Sequence, residues 1–463
     1  MRHFDLIVIG SGSGNSIVDE RFADWDVALI DDGPRFGGTC LNYGCIPTKM
    51  FVLPADLLRA PEAGAPLGVF APQPSADWAV VRDRIFGRID PISTGGETWR
   101  AQAANVTLYR DTARFTGERT LEVAGETITA DRIVIAAGSR CTSPASIAGL
   151  DEVWASERVH NSDTVMRIDE LPERLIILGA GFIAAEFAHV FSAFGSHVTV
   201  VARSGAMLRR EDAEISRRYT AAAARHVDLR LGHSTDRVEA DADRVRVHTT
   251  DNGGVQHVLE GDLLLVATGR RPNSDRLAVT VGGIEVDPLG FVVVDAQQRT
   301  SVEGVWAVGD VSNPSMLKHA ANHEARIVQH NLLHPDDPRE NTLAPLPHAV
   351  FGHPQVAAAG LTEAEARAAG HDIAVAVQEY GSTAYGWALE DTESCVKLIA
   401  DKQTKQVLGA HIIGPQASSL IQPLVQGMST GVDVPTMARG QYWIHPALTE
   451  VVENALLSLG LEA

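Results

Sequence analysis

The stretch RLIILGAGFIAAEFAHVFSAFGSHVTVVAR, residues 174–203, joins an apolar strand, a glycine turn, a helical pattern and a second, alternating strand. Gly179 and Gly181 stand in the turn, where glycine permits a tight bend and a close approach of the backbone to a phosphate. That phosphate would lie at a helix N-terminus, where free N–H groups and the helix dipole favour negative charge. The stretch predicts a strand–helix–strand unit that binds a dinucleotide.

A second stretch near the N-terminus, FDLIVIGSGSGNSIVDE, has the same order of strand, glycine turn and helix, and the strand VALI follows it. Its glycines are Gly10, Gly12 and Gly14, whereas Asn15 takes the place of the pattern's third glycine. Asp31 ends the second strand, where a carboxylate would accept a hydrogen bond from a ribose hydroxyl. Two such units predict an α/β protein with two Rossmann-like dinucleotide-binding domains.

The two units differ at the end of their second strand. Arg203 ends the strand of the inner unit, and Arg209 follows six residues later. Guanidinium groups pair with a ribose 2′-phosphate, so this site favours NADPH over NADH. The alternative is that both are solvated surface arginines. Because Arg209 and Arg210 are adjacent, the sequence leaves open which of them binds the phosphate.

Three further apolar strands end in small residues, at Gly138, at Gly269 and at the pair Gly309–Asp310. Ligands of open α/β sheets bind at the carboxyl ends of the strands, and glycine there lets them approach the backbone. We therefore expect these strand ends to line the dinucleotide sites.

The segment GGTCLNYGCIPTKM, residues 37–50, contains Cys40 and Cys45, two of only four cysteines. A structural disulfide across so short a loop would constrain the unfolded chain little, and a metal site would need further ligands. A redox-active pair is the remaining interpretation. Residues five apart in an ideal helix have Cα atoms roughly 8.6 Å apart, beyond disulfide reach, so we expect an irregular segment here.

Composition narrows the classes of function. The formal net charge is −20, which argues against a nucleic-acid partner. No signal peptide or membrane span is visible, so a cytoplasmic location is expected. From Thr342 onward, grouped strands and then helices predict an α+β domain, whose last helix would begin at Pro446.

These motifs, in this order, resemble those of the flavin-dependent pyridine nucleotide–disulfide oxidoreductases, the group of glutathione reductase and dihydrolipoamide dehydrogenase. GGTCLNYGCIPTK is similar to the family's redox-disulfide motif, TSVEGVWAVGD to its second FAD motif, and IHPALTE to its C-terminal His-Pro motif. Within the family, GSGSGNS, AYGWALEDT and ARGQYWIHPALTE resemble an actinobacterial branch whose substrate is the disulfide of mycothiol.

The resemblance implies a role for each matching residue. Cys45 would face the flavin, and Cys40 would be the interchange thiol that attacks the substrate disulfide. His445 would act as acid–base group, oriented by Glu450, on the cysteines of the other subunit. Lys49 and Glu186 would form a pair beside the flavin. FAD contacts are expected from Gly10, Gly12, Gly14, Asp31, Gly38, Thr39, Gly138 and Asp310, and NADPH contacts from Gly179, Gly181, Arg203, Arg209 and Gly269. No metal is expected.

The resemblance also implies an obligate homodimer and four regions. These are an FAD-binding domain (1–148), an NADPH-binding domain (149–270), a central domain that completes the FAD site (271–341) and a dimerisation domain (342–463). The alternatives are glutathione reductase, dihydrolipoamide dehydrogenase or, from another class, a catalytically silent FAD-binding redox sensor. Arg203 and Arg209 speak against dihydrolipoamide dehydrogenase, for which a carboxylate is expected at the strand end.

Overall fold

The structure is a computed structural model that describes residues 1–461. Glu462 and Ala463, the end of the predicted dimerisation domain, lie outside the described residues. The N-terminal region comprises strands β1 (Arg2–Ile9), β2 (Val27–Ile30), β3 (Val106–Tyr109), β4 (Arg114–Gly117), β5 (Thr120–Val123), β6 (Glu126–Ile135) and β7 (Ser139–Cys141), and helices α1 (Gly38–Asn42), α2 (Cys45–Gly64) and α3 (Trp78–Gln102).

The first sheet is the predicted dinucleotide-binding sheet. Its strands follow the order β3-β2-β1-β6-β5-β4, and β3, β2, β1 and β6 run parallel. Strands of the central region are β16 (Arg270–Pro272), which pairs with β7, and β17 (Val305–Ala307), which pairs in parallel with β6. The carboxyl ends of β1, β2, β6 and β17 therefore meet at one edge of this sheet.

The expected helix after the first glycine turn is absent, and this prediction was wrong. Two 3₁₀ turns, Gly14–Ser16 and Glu20–Phe22, connect β1 to β2 instead. A helix running back along the eight residues of β1, roughly 26 Å, would need about 17 residues. Only residues 15–26 are available, and buried Ile17, Val18 and Phe22 fill the space that a helix would cover.

The second domain has the predicted strand–helix–strand unit. Its elements are α4 (Leu150–Val153), β8 (Val159–Asn161), β9 (Arg174–Leu178), α5 (Phe182–Phe194), β10 (His197–Ala202), α6 (Ala213–Ala223), β11 (Asp228–Leu231), β12 (His233–Ala240), β13 (Val245–Asp251), β14 (Gln256–Gly261) and β15 (Leu263–Val266). A parallel sheet has the order β11-β10-β9-β15-β8, and β12, β13 and β14 form an antiparallel sheet beside it.

Helix α7 (Lys318–Leu333) ends the central region, and an antiparallel sheet of order β18-β19-β22-β21-β20 forms the C-terminal α+β domain. The elements of this domain are β18 (His348–Val350), β19 (Val356–Gly360), α8 (Glu363–Ala368), β20 (Ile373–Glu379), α9 (Ala384–Ala388), β21 (Cys395–Asp401), β22 (Val407–Ile413), α10 (Ala417–Leu420), α11 (Gln422–Thr430), α12 (Val434–Arg439) and α13 (Thr449–Ser458). The predicted α/β and α+β architecture is confirmed.

One boundary in this domain differs from the prediction. The last helix begins at Thr449, and Pro446 lies in a turn before it, so Pro446 is not the first helical residue. The turn is closed by the Glu450 carboxylate, which accepts a hydrogen bond from the Ala447 N–H at 3.3 Å. Among residues 1–461, no helix is both long and apolar enough to cross a membrane.

Candidate active site

The two cysteines lie on either side of a break between α1 and α2. Cys40 is half-buried within α1, whereas Cys45 is the exposed first residue of α2. Tyr43 and Gly44 leave helical geometry, with φ of −140° and −135°. The predicted irregular segment is therefore present. Both cysteines are thiols in this structure, and they are joined by a hydrogen bond.

This hydrogen bond makes the two thiols chemically unequal. Acceptance of the bond from Cys40 lowers the pKa of Cys45 to about 7, although partial desolvation of the sulfur by the surrounding chain opposes the shift. The same bond, together with burial, raises the pKa of the Cys40 thiol. The N-terminus of α2 also favours a thiolate at Cys45. Cys45 is therefore the member of the pair that carries negative charge near neutral pH.

The cysteine segment is held in place by a buried amide. Asn42 is fully buried, and its Nδ2 donates to the carbonyl oxygens of Phe36, at 2.9 Å, and Gly38, at 3.1 Å. Gly37 has φ +107° and Gly38 has φ +74°, a backbone conformation that favours glycine. These contacts fix the position of Thr39 and Cys40 relative to the first sheet.

The first glycine turn packs directly against the cysteine segment. A Cβ atom on Gly38 would lie 2.6 Å from the Gly12 Cα, and one on Gly14 would lie 2.6 Å from the Ala136 Cβ. Gly10 has φ +113°, and a Cβ there would collide with the Ala136 carbonyl. Three backbone segments thus approach one another here as closely as glycine allows.

The turn presents a row of unused donors. Within the described chain, the N–H groups of residues 12–15 donate to no backbone or side-chain acceptor. Successive free N–H groups of this kind form an anion-binding concavity. The Lys318 Nζ, at the start of α7, donates to the Ser13 Oγ at 2.8 Å and adds a positive charge beside them.

Asp31 is in the predicted position at the end of β2. Its Oδ2 accepts from the Ser11 N–H at 2.8 Å, and its Oδ1 pairs with Arg110 at 2.6 Å. A cleft lined by Gly10, Asp31, Thr112 and Asn273 opens beside it. The carboxylate is therefore oriented and charge-compensated at the edge of this cleft.

Gly138 and Asp310 lie at the same edge of the sheet. Gly138 has φ +66°, and nothing lies within 4 Å of where its Cβ would stand. The Asp310 Oδ2 accepts a hydrogen bond from the Ser139 Oγ at 2.7 Å, and Arg270 Nε donates to the same hydroxyl at 2.9 Å. The Ser139 hydroxyl thus joins β7 to β16 and to the segment that follows β17.

The second glycine turn has the geometry that the sequence predicts. Gly179 has φ +116°, and α5 begins directly after Gly181, around whose Cβ position there is open space. Arg203, Arg209 and the adjacent Arg210 are exposed and make no ion pair or hydrogen bond within residues 1–461. Gly269, with φ +136°, follows β15 of the same sheet. All three cations are therefore free to meet an anionic ligand.

Lys49 and Glu186 are brought close together, but they do not form a direct ion pair. Phe351 stands between them: its N–H donates to the Glu186 Oε1 at 2.8 Å, and the Lys49 Nζ lies against its ring. Burial lowers the pKa of Lys49 to about 8, although Glu186 opposes this shift. Burial likewise raises the pKa of the Glu186 carboxyl group. Phe351 carried no signal in the sequence.

His445 and Glu450 are joined as predicted. The His445 Nδ1 lies 2.7 Å from the Glu450 Oε1, and the imidazole is 70% exposed while the carboxylate is 18% exposed. Neither cysteine of the same chain is a hydrogen-bond partner of His445 within the described residues. The pair presents an oriented imidazole on the protein surface.

A histidine cluster lies two turns along α2 from Lys49. Asp56, His189 and His353 each place one potential ligand atom within 4.8 Å of the others. Burial lowers the pKa of His353 to about 4, helped by neighbouring cations including Arg59. The Arg59 guanidinium lies 2.7 Å from the His226 Nδ1, beside this cluster. Its positive charge disfavours the binding of a metal cation there. The prediction that the chain binds no metal stays a prediction.

Comparison with known proteins places this architecture in a family. The sequence profile of the pyridine nucleotide–disulphide oxidoreductases matches residues 4–325. This chain belongs to that family. The profile of the family's dimerisation domain matches residues 346–456, so the C-terminal domain is a dimerisation domain and the protein is a homodimer. Members use FAD and a nicotinamide cofactor.

Individual relatives agree with this assignment. Mycothione reductase of Mycobacterium tuberculosis H37Rv is 50% identical over 99% of this chain and all of its own length. Dihydrolipoyl dehydrogenase of Haloferax volcanii is 33% identical over 98% of this chain and 96% of its own. The flavoprotein disulfide reductase RclA of Escherichia coli, solved as a Cu(II) complex, has a TM-score of 0.85 at 28% identity and covers 99% of each chain.

The residues of the first turn fit the family's FAD. The free N–H groups of residues 12–15 suit a diphosphate, and a Cβ on Gly12 or Gly38 would narrow the space before them. Sequence reasoning missed Phe351 and Ser139, which contact predicted residues, and Lys318, which contacts Ser13 of the turn. Their partners are distant in sequence and follow no motif, so only the fold reveals them.

Proposed function

We propose that this flavoprotein disulfide reductase uses NADPH and reduces mycothione, the disulfide of mycothiol. The unequal thiol pair supports the reaction type, because one member is a thiolate near neutral pH and the other keeps its proton and donates a hydrogen bond to it. Identity of 50% over the whole chain to a mycothione reductase supports the substrate, against 33% to a dihydrolipoyl dehydrogenase.

The cofactor preference rests on charge. Arg203, Arg209 and Arg210 are exposed cations without partners in residues 1–461, at the end of β10 where an NAD site would carry an acid. We propose that Arg203 and Arg209 bind the 2′-phosphate of NADPH, while Gly179, Gly181 and Gly269 allow its close approach.

The proposed FAD contacts are Gly10, Gly12, Gly14, Asp31, Gly38, Thr39, Gly138 and Asp310.

Bound FAD supplies the two-electron chemistry that links the nicotinamide cofactor to the cysteine pair. We assign Cys45 to the flavin side of the pair, where its lowered pKa keeps it a thiolate in the reduced enzyme, whereas Cys40 is the sulfur released toward the substrate when the Cys40–Cys45 disulfide opens. Lys49 holds positive charge beside the flavin, with Glu186 positioned through Phe351.

Cys40 is the nucleophile toward substrate. Its thiolate attacks one sulfur of the substrate disulfide, which forms a mixed disulfide and releases one thiolate. Cys45 then attacks the Cys40 sulfur, which restores the cysteine disulfide and releases the second thiolate. His445 of the partner subunit takes the Cys40 proton and returns it to the departing thiolate, while Glu450 orients the imidazole at 2.7 Å.

The test is NADPH and NADH oxidation with mycothione, glutathione disulfide and lipoamide under identical conditions. We expect the highest kcat/KM with NADPH and mycothione. Comparable turnover of glutathione disulfide would refute the proposed substrate. A preference for NADH with lipoamide would refute both the proposed cofactor and the proposed direction of electron transfer, from the nucleotide to the disulfide. A Cys40→Ser variant, which keeps the flavin site, is the matched control and should turn over none of the disulfides. Absence of turnover by the unmodified protein would favour a redox sensor.

A further inference from the structure

A buried arginine lies directly behind the first glycine turn. Arg100, on α3, is only 4% exposed. Its Nε donates to the Asn15 Oδ1, and one terminal nitrogen donates to the carbonyl oxygens of Asn15 and Val18, each at 2.6 Å. The side chain thus binds the segment that follows the turn at three points.

Two of these acceptors, the backbone carbonyls of Asn15 and Val18, are groups that a helix would otherwise satisfy. Because β1 is followed by 3₁₀ turns, the carbonyls of residues 15–18 lack the bonds of a continuing helix. Gln329 of α7 meets two more of them, donating to Ile17 O at 2.8 Å and Ser16 O at 3.3 Å. Two side chains, from α3 and α7, replace the missing backbone hydrogen bonds.

The charge of Arg100 has no anionic partner, although the guanidinium carbon lies 4.2 Å from the centre of the Trp99 ring. No carboxylate within residues 1–461 forms an ion pair with it, and the acid that influences it most, Asp19, is bound to Arg21 at 2.6 Å. Burial lowers the pKa of Arg100, so the charged state is held at a cost. A buried guanidinium group that has hydrogen bonds but no anionic partner is held at a cost in free energy, which a nearby anion would reduce.

On the same turn, the free N–H groups of residues 12–15 form an anion-binding concavity, and the Lys318 Nζ lies beside Ser13. In the usual arrangement, the helix after the turn contributes roughly half a positive charge from its dipole. This chain has no such helix, but it has two whole charges at the turn.

We propose that Arg100 and Lys318 replace the missing helix dipole and neutralise the diphosphate of FAD. Arg100 is a positioning residue, which acts through the turn that it braces and through its charge. Lys318 is a direct binding residue. The proposal rests on the FAD of the family and is independent of the disulfide substrate and of the choice between NADPH and NADH.

The experiment measures FAD release from the purified holoenzyme, by flavin fluorescence after dilution, at low and high NaCl. Arg100→Met should speed release about tenfold or more at low salt, the size expected for loss of a partly buried charge at a phosphate site. NaCl should accelerate release less in this variant than in the unmodified enzyme, because one screened interaction is gone. Arg100→Lys keeps the charge and should restore slow release to within about threefold, although lysine cannot form the three-point fork.

The matched control is Arg59→Met, which removes a buried arginine far from the turn in sequence and should leave FAD release unchanged. Equal release from Arg100→Lys and Arg100→Met would mean that Arg100 only braces the turn, and it would overturn the charge proposal. Release at the unmodified rate from Arg100→Met would do the same. If Arg100→Met does not fold, Lys318→Gln gives an independent test, since it should show the same speeding of release and the same loss of salt dependence.

Discussion

At the residue scale, the cysteine pair shows how one hydrogen bond assigns two roles. Cys40 and Cys45 are identical in chemistry and five positions apart. The bond between them, and the start of α2 at Cys45, separate their pKa values in opposite directions. The negative charge is therefore on the Cys45 sulfur, so the two cysteines have different roles in electron transfer.

This separation predicts a titration. In the reduced enzyme, thiolate absorbance at 240 nm should rise as the pH increases through about 7, because Cys45 loses its proton there. In Cys40→Ala the donor is removed, so the midpoint should move upward toward the ordinary thiol pKa of about 8.5. Cys395→Ala is the control, since burial raises the pKa of Cys395 to about 12 and it contributes nothing in this range. An unmoved midpoint in Cys40→Ala would contradict the assignment.

At the element scale, the first glycine turn and the cysteine helices form one unit, because Gly12 and Gly38 touch backbone to backbone. The cofactor turn and the redox segment can meet only where neither residue carries a Cβ. The position of Cys40 relative to the flavin site thus depends on a glycine two residues before it.

Gly38→Ala should therefore weaken FAD retention. Its Cβ would lie 2.6 Å from Gly12 Cα, and φ +74° adds a left-handed penalty of about 1–2 kcal/mol for a non-glycine residue. Gly68→Ala is a matched control, since Gly68 has φ +78° but open space around it. Flavin content and thermal unfolding of the two variants separate the collision from the conformational penalty. Equal losses in both would mean that the contact with Gly12 is unimportant.

At the scale of the whole molecule, a buried ion cluster fastens the second domain to the dimerisation domain. Lys397 of β21 lies 2.8 Å from Asp212, the N-cap of α6, and 2.7 Å from Glu363. Burial would raise the pKa of Asp212, but the bond from Lys397 and two backbone N–H groups bring it below its usual range. The cluster stabilises the fold above the ordinary pKa of aspartate and loses this effect as the pH falls through the lowered value.

Lys397→Met should lower the free energy of unfolding by about 3 kcal/mol near pH 7, because it leaves the buried Asp212 carboxylate without its cation, whereas Glu363 keeps Arg367. The difference from the unmodified protein should shrink as the pH falls below the ordinary aspartate pKa of about 3.9 and through the lowered pKa of Asp212. Lys402→Met, which removes an exposed lysine paired with Asp372, should change stability by less than about 0.5 kcal/mol. Denaturant unfolding at both pH values provides the measurement, and an equal effect of both variants would exclude a role for burial.

The dimer itself predicts a complementation. If His445 acts on the partner's cysteines, a hybrid of one Cys40→Ser subunit and one His445→Ala subunit contains one complete site and one doubly altered site. Random reassociation of the two inactive variants in equal amounts should then recover about one quarter of the original activity, since half of the dimers are hybrids. Action within one chain would give no recovery, and a mixture of Cys40→Ser with Cys45→Ser is the negative control.

The sequence by itself determined the two dinucleotide turns, the redox pair, the His445–Glu450 pair and the family, because each depends on particular residue types at a fixed, short spacing along the chain. Only the tertiary structure decided that 3₁₀ turns replace the first helix, that Arg100 and Gln329 take its hydrogen bonds, and that Phe351 separates Lys49 from Glu186. Arg100 lies 85 residues from Asn15 and Gln329 lies 312 from Ile17. Periodicity reports which face of a strand or helix is buried, but it carries no information on which distant side chain will meet an unpaired backbone carbonyl.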